Sequence, residues 1–134
     1  MTEDERHDLG LATRRRILGD RWVDASLAAT TEDDRDFQAL LTRWAWGDIW
    51  TRPGLPSETR RLLVLAMMVA LNREHEFKLH ARAALEGGVP REAVREAVLQ
   101  TAIYCGIPAA LSAFRWLKDV VAELSLKGED PGGR

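Results

Sequence analysis

Arg73, Glu76 and His80 are the residues of this sequence best spaced for joint chemistry. At about 100° per residue, an α-helix carries all three within one narrow stripe. A guanidinium, a carboxylate and an imidazole so placed could hold an anion and move a proton near neutral pH. The same stripe could equally be a structural Arg–Glu–His pairing on a half-exposed helix, because ion-pair networks also perturb ionisation. The run just before it, TRRLLVLAMMVALN, is the most apolar in the chain. The stripe therefore lies beside a core, where charge is costly unless it is paired or at work.

Two other arrangements fail on spacing. His75-Glu76 followed by His80 is one residue too long for the HExxH of zinc proteases, and the two imidazoles stand about 140° apart on a helix. No cysteine cluster or second histidine site supports a metal, so none is expected. Ser57 and Ser112 lack the G-x-S-x-G setting of a nucleophilic serine. Cys105 is the one cysteine, which rules out an intrachain disulfide and fits a reducing compartment. It lies in an apolar run beside Tyr104, where a small buried thiol is expected. His7 and His75 lie off the stripe, and Met67 and Met68 read as core filler.

The elements that must position the stripe are helices. The spacing predicts segments over 4–18, stopping at Gly19, and over 22–29. Thr31 reads as the N-cap of a third, with Phe37, Leu40, Leu41, Trp44 and Ala45 on one apolar face and Gly47 loosening its end. A loop, DIWTRPGLPSE, follows. From Ser57 a helix apolar on most sides, hence buried, is expected. Next come a helix over 73–86 stopped by Gly87-Gly88, one opened by Pro90 that ends at Gly106-Ile107-Pro108, and a last one over 109–126. There is no alternating strand pattern and no repeat, so the fold class is all-α. One domain is expected over 1–126, with 127–134 a disordered tail.

Composition narrows the function classes. The chain has 134 residues and a formal net charge of −2, which argues against a nucleic-acid partner. No stretch approaches the roughly 18 apolar residues of a membrane span, and the acidic start MTEDERHDLG does not resemble a secretory leader. A cytoplasmic protein is expected. Five tryptophans suggest large buried surfaces, some of them between subunits.

Four blocks carry a resemblance: LGDRWVDASLA, FQALLTRWAWGDIWTRPGL, TRRLLVLAMMVALNREHEFKLHARAALEGGV and LQTAIYCGIPAALSAFR. Together they resemble the 4-carboxymuconolactone decarboxylases over about residues 18–122. The resemblance implies a helical bundle of the alkylhydroperoxidase D-like type, assembled as a ring-shaped homo-oligomer, trimer or hexamer. Peroxidase-linked relatives carry CxxC and a His where this chain has Arg73, Glu76 and His80. Dithiol chemistry is thereby excluded, since it needs two thiols. The decarboxylases usually read Asn where Leu111 stands, at a position that either touches substrate or packs.

The resemblance also implies a reaction: loss of CO2 from a lactone carboxylate, giving β-ketoadipate enol-lactone in protocatechuate breakdown. The departing electron pair is conjugated to the lactone carbonyl, so the substrate holds its own electron sink and no cofactor is expected. The protein must hold a dianion, stabilise the developing oxyanion and protonate carbon. His80 is expected to supply the proton, Glu76 to orient it and raise its pKa, and Arg73 and Arg52 to hold carboxylates. Trp44, Trp46, Trp50 and Tyr104 are expected as pocket walls, or as packing. Arg60 and Arg61 read as salt-bridged structure. Two alternatives stay open: action on another lactone or β-keto-type acid, and a non-catalytic oligomeric binding protein of this fold.

Overall fold

A computed structural model describes residues 1–128; the tail expected at 127–134 lies mostly outside the described residues. The described residues are helical throughout, with no strand among them. They form two compact units, Met1–Pro56 and the part from Ser57 onward.

The first unit holds α1 (Glu3–Leu18), α2 (Asp20–Ala29), α3 (Arg35–Leu41) and a π-helical segment, π1 (Thr42–Ile49). Thr2 opens α1 through a reciprocal capping box with Glu5. Gly19, at φ 89°, separates α1 from α2 in a conformation that favours glycine. Thr31 does not cap α3. Its backbone N–H donates to the Asp34 carboxylate at 2.7 Å in a preceding turn, and α3 begins only at Arg35.

The apolar face expected over Phe37–Ala45 does not close on a core in this unit. Phe37, Leu40 and Trp44 are 42–61% exposed, whereas Thr42, Trp46 and Gly47 are buried. From Thr42 on, the wider turn of π1 rotates side chains out of the 3.6-residue register; Phe37 and Leu40 precede it on α3, which buries none of its residues. Gly47 does not end this helix either; it lets π1 meet α1. A Cβ on Gly47 would stand 2.5 Å from the Arg6 carbonyl oxygen, and one on Gly10 would stand 1.9 Å from that of Thr42. Gly10→Ala should therefore force the two backbones apart and cost roughly 1–3 kcal/mol. Thermal unfolding would show this as a fall of several degrees in Tm.

The second unit holds α4 (Ser57–Ala70), α5 (Glu74–Glu86), α6 (Arg91–Tyr104) and α7 (Ile107–Leu126). Helix α5 packs against α4 and α7, and α6 packs against the same two. Leu65, Phe77, Leu85, Val98, Trp116 and Leu124 are at the centre of the core, with the Phe77 and Trp116 rings 5.5 Å apart. Arg82 is buried on α5 and clamps Glu123 of α7 with two hydrogen bonds, Nε at 2.6 Å and Nη2 at 3.1 Å. No helix among the described residues is long and apolar enough to cross a membrane.

Helix α4 is not buried on most sides as its composition suggests. Only Arg61, Leu65 and Val69 are buried, one residue per turn, while Leu63 and Met67 face outward. Cys105 likewise is exposed rather than buried, at the C-terminal end of α6. In both cases the apolar run belongs to an outer face of the unit, and composition does not separate an outer apolar face from an inner one.

Candidate active site

Helix α5 carries the stripe. Its first turn starts at Glu74, and Arg73 stands at the N-cap position, φ −108° and ψ 82°. The Arg73 side chain folds forward, and its Nε donates to Glu76 Oε1 at 3.0 Å. Partial burial pushes the Glu76 carboxyl up, but the Arg73 hydrogen bond, a backbone N–H and the Arg73 charge outweigh this and hold it below its usual value. Both groups of the pair remain accessible, with the Arg73 side chain 61% exposed.

His80 lies one turn beyond Glu76 and is mostly buried. Its Nδ1 is enclosed and has no hydrogen-bond partner. Glu76 accepts from Arg73 through Oε1, and no hydrogen bond joins its carboxylate to the enclosed His80 Nδ1, so it does not orient the imidazole through that atom as expected. Nor does it raise the imidazole pKa on balance. Burial, reinforced by the positive charge of Arg61, pushes His80 down to about 4, against a smaller upward pull from Glu76. His80 is therefore neutral in the free protein at neutral pH.

The buried imidazole has a consequence for stability. The unfolded chain takes up this proton near its ordinary value of 6.5, and the folded chain near 4. The favourable contribution is complete above pH 6.5 and is lost as pH falls toward 4, on the order of 3 kcal/mol. Denaturant unfolding across that window should show a shallower acid loss in His80→Gln than in the parent. Equal slopes would show that His80 is not the group responsible.

Arg61, expected as salt-bridged structure, lies deeper than a helix start suggests. It is 7% exposed, on the inner face of α4. Its guanidinium packs over the end of α5: a Cβ on Gly87 would stand 2.7 Å from Arg61 Nη2. The signal was its register. Arg61, Leu65 and Val69 recur every four residues, which places the arginine on the core stripe.

The other expected site residues are placed as follows. In the first unit, Trp46 is buried and stacked on Trp50 with centroids 5.1 Å apart, a packing role. Trp44 is 42% exposed beneath the Arg6 guanidinium, at 4.8 Å. Arg52 reaches Asp48 at 3.6 Å, and Arg6 reaches the same carboxylate oxygen at 3.8 Å. In the second unit, Tyr104 is 82% exposed and lines a groove between α4 and α6 whose walls include none of Arg73, Glu76 and His80. Leu111 is exposed on α7, so it does not pack into the core.

Residues 35–119, which include α5 and all of the stripe, match the model of the carboxymuconolactone decarboxylase family. The chain belongs to that family. It is 36% identical over 129 residues to the 4-carboxymuconolactone decarboxylase of Acinetobacter baylyi, covering 96% of each chain. It is also 38% identical over 132 residues to nitrosuccinic acid decarboxylase npaB of Metarhizium robertsii, covering 96% of this chain and 92% of that one. A shorter match, 42% over 48 residues, is to a 4-carboxymuconolactone decarboxylase sequence of Pseudomonas putida. The two relatives matched along nearly their whole length are named for different acids, and likeness to both does not choose between them.

Proposed function

We propose that this chain decarboxylates 4-carboxymuconolactone to β-ketoadipate enol-lactone, as a homo-oligomer, in the breakdown of protocatechuate. The observation that carries this reading is a mostly buried, neutral imidazole next to a buried cation, with an accessible Arg–Glu pair one turn away. It stands in a chain that matches a decarboxylase of that lactone along nearly its whole length.

The charge balance of the reaction suits such a site. A substrate dianion and one proton give CO2 and a product monoanion. The electron pair released with CO2 moves through the ring double bond to the lactone carbonyl, and the proton goes to the carbon next to that carbonyl. Arg73 holds one carboxylate, which competes with Glu76 for the guanidinium. Arg61 faces the other negative charge. A dianion bound there offsets the positive field that, with burial, keeps His80 unprotonated. Substrate binding thereby favours proton uptake on His80, which then serves as the acid.

Nitrosuccinic acid offers a second reading with the same logic. A nitro group on a succinic acid is also a built-in acceptor for the electrons that CO2 leaves behind. Leu111, where the decarboxylases of the lactone usually carry Asn, is the feature that favours testing it. Comparing kcat/KM for the two acids decides the matter. The lactone is expected to be preferred by at least tenfold; preference for nitrosuccinate would overturn the substrate assignment while keeping the reaction class.

A further inference from the structure

Helices α6 and α7 border a cavity of about 320 Å³ that none of Arg61, Arg73, Glu76 and His80 lines. Its α7 side is mostly apolar. Leu117 is buried, Phe114 and Val121 are half-buried against the core, and Ala122 lies beside them. These positions recur at three- and four-residue steps, so one face of α7 supplies them all. Three cations complete the lining: Arg91 and Arg95, one turn apart on α6, and Lys118 on α7. Arg95 and Lys118 are exposed and Arg91 is half-buried, so the charge stands toward solvent and the apolar groups inward. No aspartate or glutamate lines the cavity among the described residues.

The three cations are unmatched. No ion pair or hydrogen bond joins any of them to a described residue. Neighbouring cations of the same unit are matched: Arg73 with Glu76, Lys78 with Glu74 and Asp119, and Arg82 with Glu123. Acid is not scarce either, with 21 Asp and Glu in the chain against 19 Lys and Arg. The placement works against the fold. Arg91 and Arg95 repel each other at i, i+4. Arg91 also opens the first turn of α6, where the helix dipole favours an anion. A bound anion would relieve both.

The shape of the lining narrows that anion. An inorganic ion would use the cations and leave the apolar wall idle. A carboxylate suits the guanidinium groups, which grip it with paired hydrogen bonds and also stack on aromatic rings. The volume is near the lower end of small-molecule pockets, about 300–1,000 Å³, which suits a one-ring ligand. We propose that the α6–α7 cavity binds an aromatic carboxylate, with its ring against Phe114, Leu117 and Val121 and its charge on Arg91, Arg95 and Lys118. The site is separate from the stripe on α5, and it stands whichever acid the protein decarboxylates.

Calorimetric titration of the full-length protein tests this with three probes. Benzoate carries ring and charge, benzamide the ring alone and acetate the charge alone. Benzoate is expected to bind with a Kd of about 1 mM or below, at least tenfold more tightly than either control. Replacing Arg95→Gln and Lys118→Gln together should weaken benzoate at least tenfold, with an unchanged circular dichroism spectrum, since both side chains are exposed. Ala122→Phe, which fills the hollow and keeps the charges, should weaken it equally and serves if the double variant unfolds. Arg115→Gln, an exposed cation of α7 outside the lining, and Arg73→Gln, on the stripe, should leave benzoate affinity unchanged. Equal affinity for benzoate and acetate would reduce the site to surface charge and overturn the proposal. Loss of benzoate binding in Arg73→Gln but not in the cavity variants would place the ligand on the stripe and overturn it too. So would the absence of saturable binding at roughly ten times the expected Kd.

Discussion

His80→Ala should lower kcat by about 10²–10⁴-fold, the usual worth of a positioned acid, while leaving KM within a few-fold of the parent. The imidazole Nδ1 has no partner, so truncation breaks no hydrogen bond there, and rates are compared per folded chain. The pH profile should separate free and bound states. kcat/KM, which reports free enzyme and substrate, should fall with rising pH above about 4, where the free imidazole loses its proton. kcat should hold to higher pH, because bound dianion raises the same group. A folded His80→Ala with near-parental kcat would remove His80 as the acid and direct attention to Glu76.

The second large effect belongs to Arg61. Arg61→Gln should raise KM roughly ten- to hundredfold, the 1.5–3 kcal/mol of a hydrogen bond to a charged group. It should also move the His80 titration upward in nuclear magnetic resonance, because the Arg61 charge helps to hold that imidazole down. Loss of a buried side chain could mimic the first result through instability, so Gly87→Ala provides the control. Gly87 has φ −81°, which alanine adopts freely. The added methyl meets the guanidinium end of Arg61 and shifts it without removing its charge. Gly87→Ala should raise KM, with KM measured per folded chain because the methyl also meets the Ala83 carbonyl oxygen at 3.0 Å. Unchanged KM and an unchanged His80 titration in both variants would return Arg61 to a purely structural role.

Much of the helical plan is visible in the residues. Gly19, Gly87-Gly88, Pro90 and Gly106 punctuate the chain, and the helices stop or start within a few residues of each. Two local features are not visible. The π-helical turn at 42–49 occupies too few residues to leave a period, so the burial of Thr42 and Trp46 beside an exposed Trp44 is not visible in the spacing. Thr31 has the type of an N-cap, but its amide is taken by Asp34 in a turn of its own.

The site was legible in part. The stripe is real at its first step, the Arg73–Glu76 pair, and spacing alone places it. Its second step is not, because an i, i+4 spacing cannot say which of two neighbours a glutamate bonds. Arg61 reads as salt-bridged structure from its place beside Arg60 at a helix start, and its spacing from Leu65 and Val69 is what points it inward. Leu63, Met67 and Cys105 were read as core because apolar runs look alike whether they face their own chain or another.

The central claim is decarboxylation through His80, and one measurement meets it directly. Purified parent and His80→Ala are each mixed with 4-carboxymuconolactone at saturating concentration, and CO2 release is followed per folded active chain. The account expects one CO2 per lactone consumed by the parent and a rate at least a hundredfold lower in His80→Ala. No CO2 above the uncatalysed rate from folded parent, or equal rates from the two proteins, would contradict it.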